Sequence, residues 1–210
     1  MSTSANCPSC GAPVTFRWSS AVQTTCEFCK SILVRTDVDL KKVGVVADLP
    51  PDSSPIQIGT EGAYANKSFV VIGRILYEYA HGGWNEWHIV FNDSTSGWLS
   101  DAQLDYAISW LVPNAFDPLP RQISRGQHCK SKDLTYEVTS VTEAHYKGVQ
   151  GELPFEYWDK SDCLFADLRT TTNEFGTIDY TETPPLVFLG RAVDFTDLNL
   201  KNLRQFEGWS

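Results

Sequence analysis

Four of the six cysteines stand where they can hold one metal ion. Cys7 and Cys10 form a Cys-x-x-Cys pair, Cys26 and Cys29 form a second, and fifteen residues lie between the pairs. A two-residue spacer lets one tight turn present both sulfurs to a single ion at about 2.3 Å. Gly11 follows the first pair, where a closing turn calls for positive φ, and Lys30 holds the corresponding place after the second. Four sulfur ligands leave no open coordination position, so the implied chemistry is one structural zinc ion rather than a catalytic metal. A lone Cys-x-x-Cys can be a redox motif, but two at this spacing argue for metal, with iron the lesser alternative to zinc.

Other residues offer weaker chemistry. Cys129 and Cys163 stand apart and read as buried hydrophobes; Cys129 with His145, or Cys163 with His128, is the only nucleophilic pairing to consider. His81, His88, His128 and His145 share no metal-ligand spacing. Acidic residues gather at Glu78, Glu86, Asp93 and Asp101, and again at Glu152, Glu156, Asp159, Asp162 and Asp167. A hydrolase would need two of them opposed across a cleft, whereas charged strand edges and turns explain them with less assumption. Phosphate-binding glycine loops and nucleophile elbows are absent. Trp84, Trp87, Trp98, Trp110 and Trp158 exceed what a core of this size needs, and Trp84, Trp87 and Trp98 mark a candidate partner or ligand surface. The plainer reading is a tryptophan-rich core.

These residues must be positioned mainly by strands. Around the cysteines, residues 14–18, 22–25 and 32–34 read as three strands of a zinc ribbon within a module at 1–42. Such a module is too small to fold on its own core, and metal supplies on the order of 10 kcal/mol. A proline-rich linker occupies 43–55, and a β-rich body follows over 56–210. Strand patterns cover 68–79, 84–91, 134–141, 154–158, 163–169, 175–180 and 186–192. A second proline-rich joint at 113–120 divides the body into halves at about 56–112 and 121–195. Gly62 and Gly126 each precede a long alternating run, so the halves read either as a divergent duplication or as two ordinary meanders. Leu200, Leu203 and Phe206 suggest a short C-terminal helix over about 197–207. The fold class is mainly β, α+β at most, with the halves closing into barrels or sandwiches.

Charge narrows the partners. The chain of 210 residues carries 17 basic and 26 acidic side chains, a net charge of −9. Residues 1–42 hold five basic and three acidic residues, a surplus of two that four thiolates and one zinc cancel. Residues 43–210 therefore carry about −11, the wrong sign for a phosphate backbone. No apolar run reaches the ~18–20 residues of a membrane span, and the polar start Met1–Asn6 is not a signal peptide. A cytoplasmic location, with reduced thiols free for metal, is the expectation.

A resemblance emerges from the body. Ile58-Gly59-Thr60-Glu61-Gly62, Val70-Val71-Ile72-Gly73-Arg74, Trp87-His88-Ile89-Val90-Phe91, Gly97-Trp98-Leu99 and Gly151-Glu152-Leu153-Pro154 resemble the bacterial domain of unknown function 4178 over about 56–195. The resemblance implies no established activity and transfers no catalytic residue. It implies a bacterial accessory role, since members neighbour membrane-stress and polyamine-synthase-like proteins, and some carry an N-terminal ribbon. The leading expectation is a non-enzymatic adaptor that binds a protein partner. Alternatives are a binder of, or enzyme on, a polyamine-like cation at an acidic Trp-lined surface, and nucleic-acid binding through the ribbon.

Overall fold

A computed structural model describes residues 3–36, 39–46, 54–116, 123–156 and 162–206. The fold is mainly β. In the N-terminal module, β1 (Thr3–Asn6) pairs with β2 (Pro13–Phe16), and β3 (Gln23–Thr25), β4 (Ser31–Arg35) and β5 (Leu40–Val45) form a three-stranded sheet. Its core is Val14, Phe16, Ala21, Leu33 and Leu40, packed with Cys7 and Cys26.

The body has two meanders of the same plan. The first runs β6 (Glu61–Tyr64), β7 (Lys67–Tyr79), β8 (Gly82–Phe91), β9 (Ser96–Ala102) and β10 (Asp105–Leu111). The second runs β11 (His128–Ser131), β12 (Leu134–Gly151), β13 (Asp162–Arg169), β14 (Glu174–Asp179) and β15 (Leu186–Val193). Antiparallel pairing of β10 with β15, and of β7 with β12, joins the meanders. Eight strands thereby close into one barrel, in the order β7-β8-β9-β10-β15-β14-β13-β12 and back to β7. The halves do not close separately; each supplies half the wall. Closure pairs the edges of the eight wall strands and leaves β6 and β11 as the two ends of the sheet.

The main-chain hydrogen bonds repeat at a constant offset. Gly59 N–H donates to Val71 O and Val71 N–H to Thr60 O; Gly126 N–H donates to Val138 O and Val138 N–H to Gln127 O. Gly59 and Gly126 share positive φ of 89° and 85°. The equivalence therefore pairs Gly126 with Gly59, three residues before the Gly62 that the sequence pattern suggests. Where β7 meets β12, Gly73 and Gly151 face each other in register. A Cβ on Gly73 would lie 2.0 Å from Glu152 O, so only glycine lets the two halves approach there.

Strand alternation gives the wall two faces. One face of the first half packs Phe69, Val71, Trp87, Ile89, Leu99 and Ile108 under Ile56 and Leu198. Its counterpart packs Val138, Ala166, Leu168, Ile178 and Val187 under Phe116. The other face of both halves lines the barrel's interior. The helix expected over 197–207 is not formed within 195–206. A single 3-10 turn, Phe195–Leu198, ends at Asn199 in the left-handed region (φ 47°), and Asn202 is left-handed again (φ 55°). Lys201 instead exchanges two main-chain hydrogen bonds with Glu61, and the leucines at three-residue steps are anchors of an extended strap. The strand expected at 154–158 is also absent over 154–156; residues 43–45 of the expected linker close β5, while Trp158, Asp159 and, of the proline-rich joints, residues 47–53 and 117–120 lie outside the described residues. No helix among the described residues is long and apolar enough to cross a membrane.

Candidate functional site

Two sites stand out, one in the N-terminal module and one inside the barrel. The first is the cysteine centre. Cys7 N–H donates to Ala12 O and Gly11 N–H to Cys7 O; Cys26 N–H donates to Ser31 O and Lys30 N–H to Cys26 O. The two turns are thus copies of one hydrogen-bonded knuckle. Gly11 and Lys30 both take the positive φ that the knuckle needs, 76° and 59°. All four sulfurs lie within 4.8 Å of one another. The Cys7–Cys29 and Cys10–Cys26 separations are 3.7 and 3.8 Å. A tetrahedron with metal–sulfur bonds of about 2.3 Å has edges of about 3.8 Å, so the cluster fits one tetrahedral ion. The Ser31 hydroxyl and main chain hold the Cys29 thiol down to about 6, favouring the thiolate that a metal requires.

The ribbon is fastened across one end of the barrel. Glu152, buried at the close of β12, accepts the Arg17 N–H (2.7 Å) and the Trp18 N–H (3.0 Å) with its two carboxylate oxygens. Val22 and Gln23 N–H both donate to Leu153 O, and Leu153 N–H donates to Gln23 O. Ile32 of β4 enters the barrel's core beside Ile75, Val149 and Leu153. Trp18 packs edge-on against His88, ring centroids 5.1 Å apart, and its Nε1 donates to Ser94 O. His88 Nδ1 lies 2.9 Å from Glu152 O, and burial pulls this imidazole down to about 4, so it stays neutral. Among the ribbon's aromatics, Phe16 is core, Trp18 is a barrel contact, and Phe28 is 69% exposed.

The second site is the barrel lumen. Ile75, Tyr77, Trp98, Phe155, Phe165 and Phe188 wall its inner part, and Glu86, Ser100, Ser109, Thr177 and Asp179 supply polar groups. This inner cavity is about 40 Å³, room for two or three waters or a compact polar group at roughly 10–15 Å³ each. Sharing Glu86, Ser100, Phe165 and Thr177 with it is a vestibule of about 340 Å³, where Asp167, Ser140, Thr142, Trp84, Tyr79 and Arg169 also line the wall. Tyr77, Trp84 and Phe165 pack as one aromatic wall, with centroid separations of 4.9 to 5.4 Å.

Four carboxyl groups line this space: Glu86, Asp167, Asp179 and the exposed Asp105. Glu86 takes hydrogen bonds from Ser100 Oγ (2.7 Å) and Trp84 Nε1 (3.1 Å). Burial, with the charges of Asp167 and Asp179 adding to it, pushes its carboxyl up to about 8 against the pull of those two hydrogen bonds. Asp167 accepts from Ser140 (2.8 Å) and Thr177 (3.0 Å). Asp179 is buried. The only cation among the described lining residues is Arg169, which lies over the Phe175 ring at 4.4 Å. The lumen is therefore an apolar, aromatic tube with an excess of acid.

The tryptophans singled out from sequence fall on two faces. Trp84 and Trp98 line the lumen, whereas Trp87 is fully buried on the opposite face of β8. Of the other acids, Glu78 pairs with Lys147, Asp93 with Lys67 and Asp162 with His145. Cys129 and Cys163 are buried, and His128 is exposed on its strand. Sequence reasoning did not single out Asp179, nor oppose Glu86 to Asp167. The signal lay in strand parity: Trp84 and Glu86, Phe165 and Asp167, and Thr177 and Asp179 alternate onto one face.

The family model described as Domain of unknown function (DUF4178) matches residues 57–195. No curated protein and no solved structure matches the chain.

Proposed function

The chain belongs to the Domain of unknown function (DUF4178) family, whose description assigns no activity, and we propose that its barrel binds a small organic cation in the lumen. One observation carries this reading: Glu86, Asp105, Asp167 and Asp179 line an aromatic-walled space in which Arg169 is the only cation among the described lining residues. An ammonium entering there meets this excess of carboxyl groups, and an aromatic ring that turns its face to the lumen attracts it. The narrow inner cavity with a wider vestibule suits an alkylamine or a polyamine. The reading is of binding, because no nucleophile–base pair accompanies the acids among the described residues.

In the same proposal, Cys7, Cys10, Cys26 and Cys29 hold one zinc ion. When bound, zinc supplies a fixed tetrahedral crosslink and no reactive position. The ribbon's own residues close the barrel's base: Ile32 fills it, Trp18 covers His88, and Glu152 secures the chain at Arg17 and Trp18. Of the three tryptophans considered for a docking surface, Trp84 and Trp98 line the lumen and Trp87 is buried beneath the C-terminal strap, which supports a ligand over an adaptor as the body's role.

Calorimetry with putrescine, spermidine and, as neutral isostere, 1,4-butanediol tests the proposal. Amine binding that the diol does not reproduce, weakened at least tenfold in Asp167→Asn, supports it. Absence of heat and of thermal shift with every amine, or an undiminished response in Asp167→Asn, removes it.

A further inference from the structure

The two halves differ at one place that their shared plan makes comparable. Each begins with a short edge strand, β6 in the first and β11 in the second, related by a constant offset that sets Glu61 against His128. On β6, the outward N–H and C=O of Glu61 are taken by the chain itself: Glu61 N–H donates to Lys201 O (3.1 Å), and Lys201 N–H to Glu61 O (2.8 Å). The strap 195–204 thereby seals the first edge. On β11, the inward groups pair with β12, since Cys129 and Ser131 face Tyr136 and Leu134 in register. His128 and Lys130 then turn their main-chain N–H and C=O outward. Among the described residues no strand or bridge meets them.

Charge says what fits. The sealed edge sets an acidic strand residue, Glu61, against a basic strap residue, Lys201. The open edge has the opposite sign. Arg125, His128, Lys130 and Lys132 are all exposed, and residues 123–132 contain no carboxylate in a chain of net charge −9. The nearest acids, Asp133 and Glu137, belong to the turn and to β12, with Glu137 opposite His128 in register. Lysines on an edge deter pairing with another copy of the same basic edge, and the same lysines favour an acidic strand. Side-chain anchoring differs too. Gly62 leaves space that Leu200 fills, and the buried Cys129 occupies the equivalent place. An occupant of the second edge is therefore held by main chain and charge rather than by a leucine.

We propose that the β11 edge is a docking site for an acidic, extended segment of a partner protein, which adds a strand antiparallel to His128–Ser131 as the strap does to β6. The site is on the outer wall and is independent of the lumen reading.

The probe is a fluorescein-labelled ten-residue peptide of alternating Glu and Val, titrated into the full zinc-loaded chain by anisotropy. Two comparison peptides accompany it: one with Lys for Glu, one N-methylated at alternate amides so that charge is kept and strand addition is blocked. The expected result is saturable binding of the acidic peptide, at least tenfold weaker for both comparison peptides, with new amide-exchange protection at His128 and Lys130. His128→Pro removes an outward N–H while leaving the β12 ladder in place, and it should weaken binding at least tenfold. Lys130→Glu with Lys132→Glu should abolish it. Equal binding of the N-methylated peptide would reduce the effect to charge alone and overturn the proposal. So would absence of binding, an unaltered His128→Pro, or a concentration-dependent dimer that buries His128 and excludes the peptide.

Discussion

Replacing Glu86 by glutamine should remove a pH dependence of stability that the lumen creates. In the folded chain burial and the neighbouring Asp167 and Asp179 raise this carboxyl to about 8. In the unfolded chain it returns to about 4.5. Between these values the folded state binds the proton and the unfolded state does not. Stability is therefore fully present below the unfolded value and declines as pH rises towards 8. The ceiling is about 1.4 kcal/mol per pH unit, hence about 2.7 kcal/mol between pH 6 and pH 8. Glu86 keeps some accessible surface toward the lumen, and water there screens its charge. Taking half the ceiling gives about 1.4 kcal/mol, or roughly 3–6 °C in Tm for a chain of this size. Glutamine keeps the acceptor that Ser100 and Trp84 address but carries no charge, so its Tm should change less over the same interval. Differential scanning fluorimetry of both proteins, zinc-loaded, across pH 6–8 reads the difference directly. Parallel Tm profiles would refute the reasoning, because they would mean that no proton is held at Glu86. A saturating amine should flatten the wild-type profile as well, since an ammonium stabilises the ionised carboxylates.

Two further outcomes test how the ribbon is held. Cys26→Ser should lose the bound metal, seen as loss of one zinc by mass spectrometry and of thiolate-to-metal absorption after cobalt substitution, with the ribbon unfolding because metal supplies on the order of 10 kcal/mol there. Glu152→Ala leaves the Arg17 and Trp18 N–H groups without their acceptors and should cost about 2–4 kcal/mol while retaining the metal, measured by denaturant unfolding alongside zinc content; full wild-type stability would show that the clasp contributes nothing.

The cysteine centre was legible because its chemistry is local. Two residues of spacing fix the bite of each knuckle, and the positive φ at Gly11 and Lys30 follows from the turn alone. Strand content was legible for the same reason: alternation over 68–79 and 84–91 is a property of neighbours in sequence. Register across the chain was not local. That β10 pairs with β15 and β7 with β12, 60 or more residues apart in sequence, depends on glycines at 73, 151 and 190 admitting a facing backbone, which no periodicity expresses. The C-terminal leucines misled for a related reason, since three-residue steps suit a helix until Asn199 and Asn202 turn left-handed and the strap pairs with β6. The same limit governs the lumen. Sequence alternation assigns Trp84, Glu86 and His88 to one face and Trp87, Ile89 and Phe91 to the other, but it cannot say which face meets water. Closure of the barrel decided that: it turned a face with a carboxyl every few residues inward, away from solvent, and so made Glu86, Asp167 and Asp179 neighbours whose charges must answer to one another.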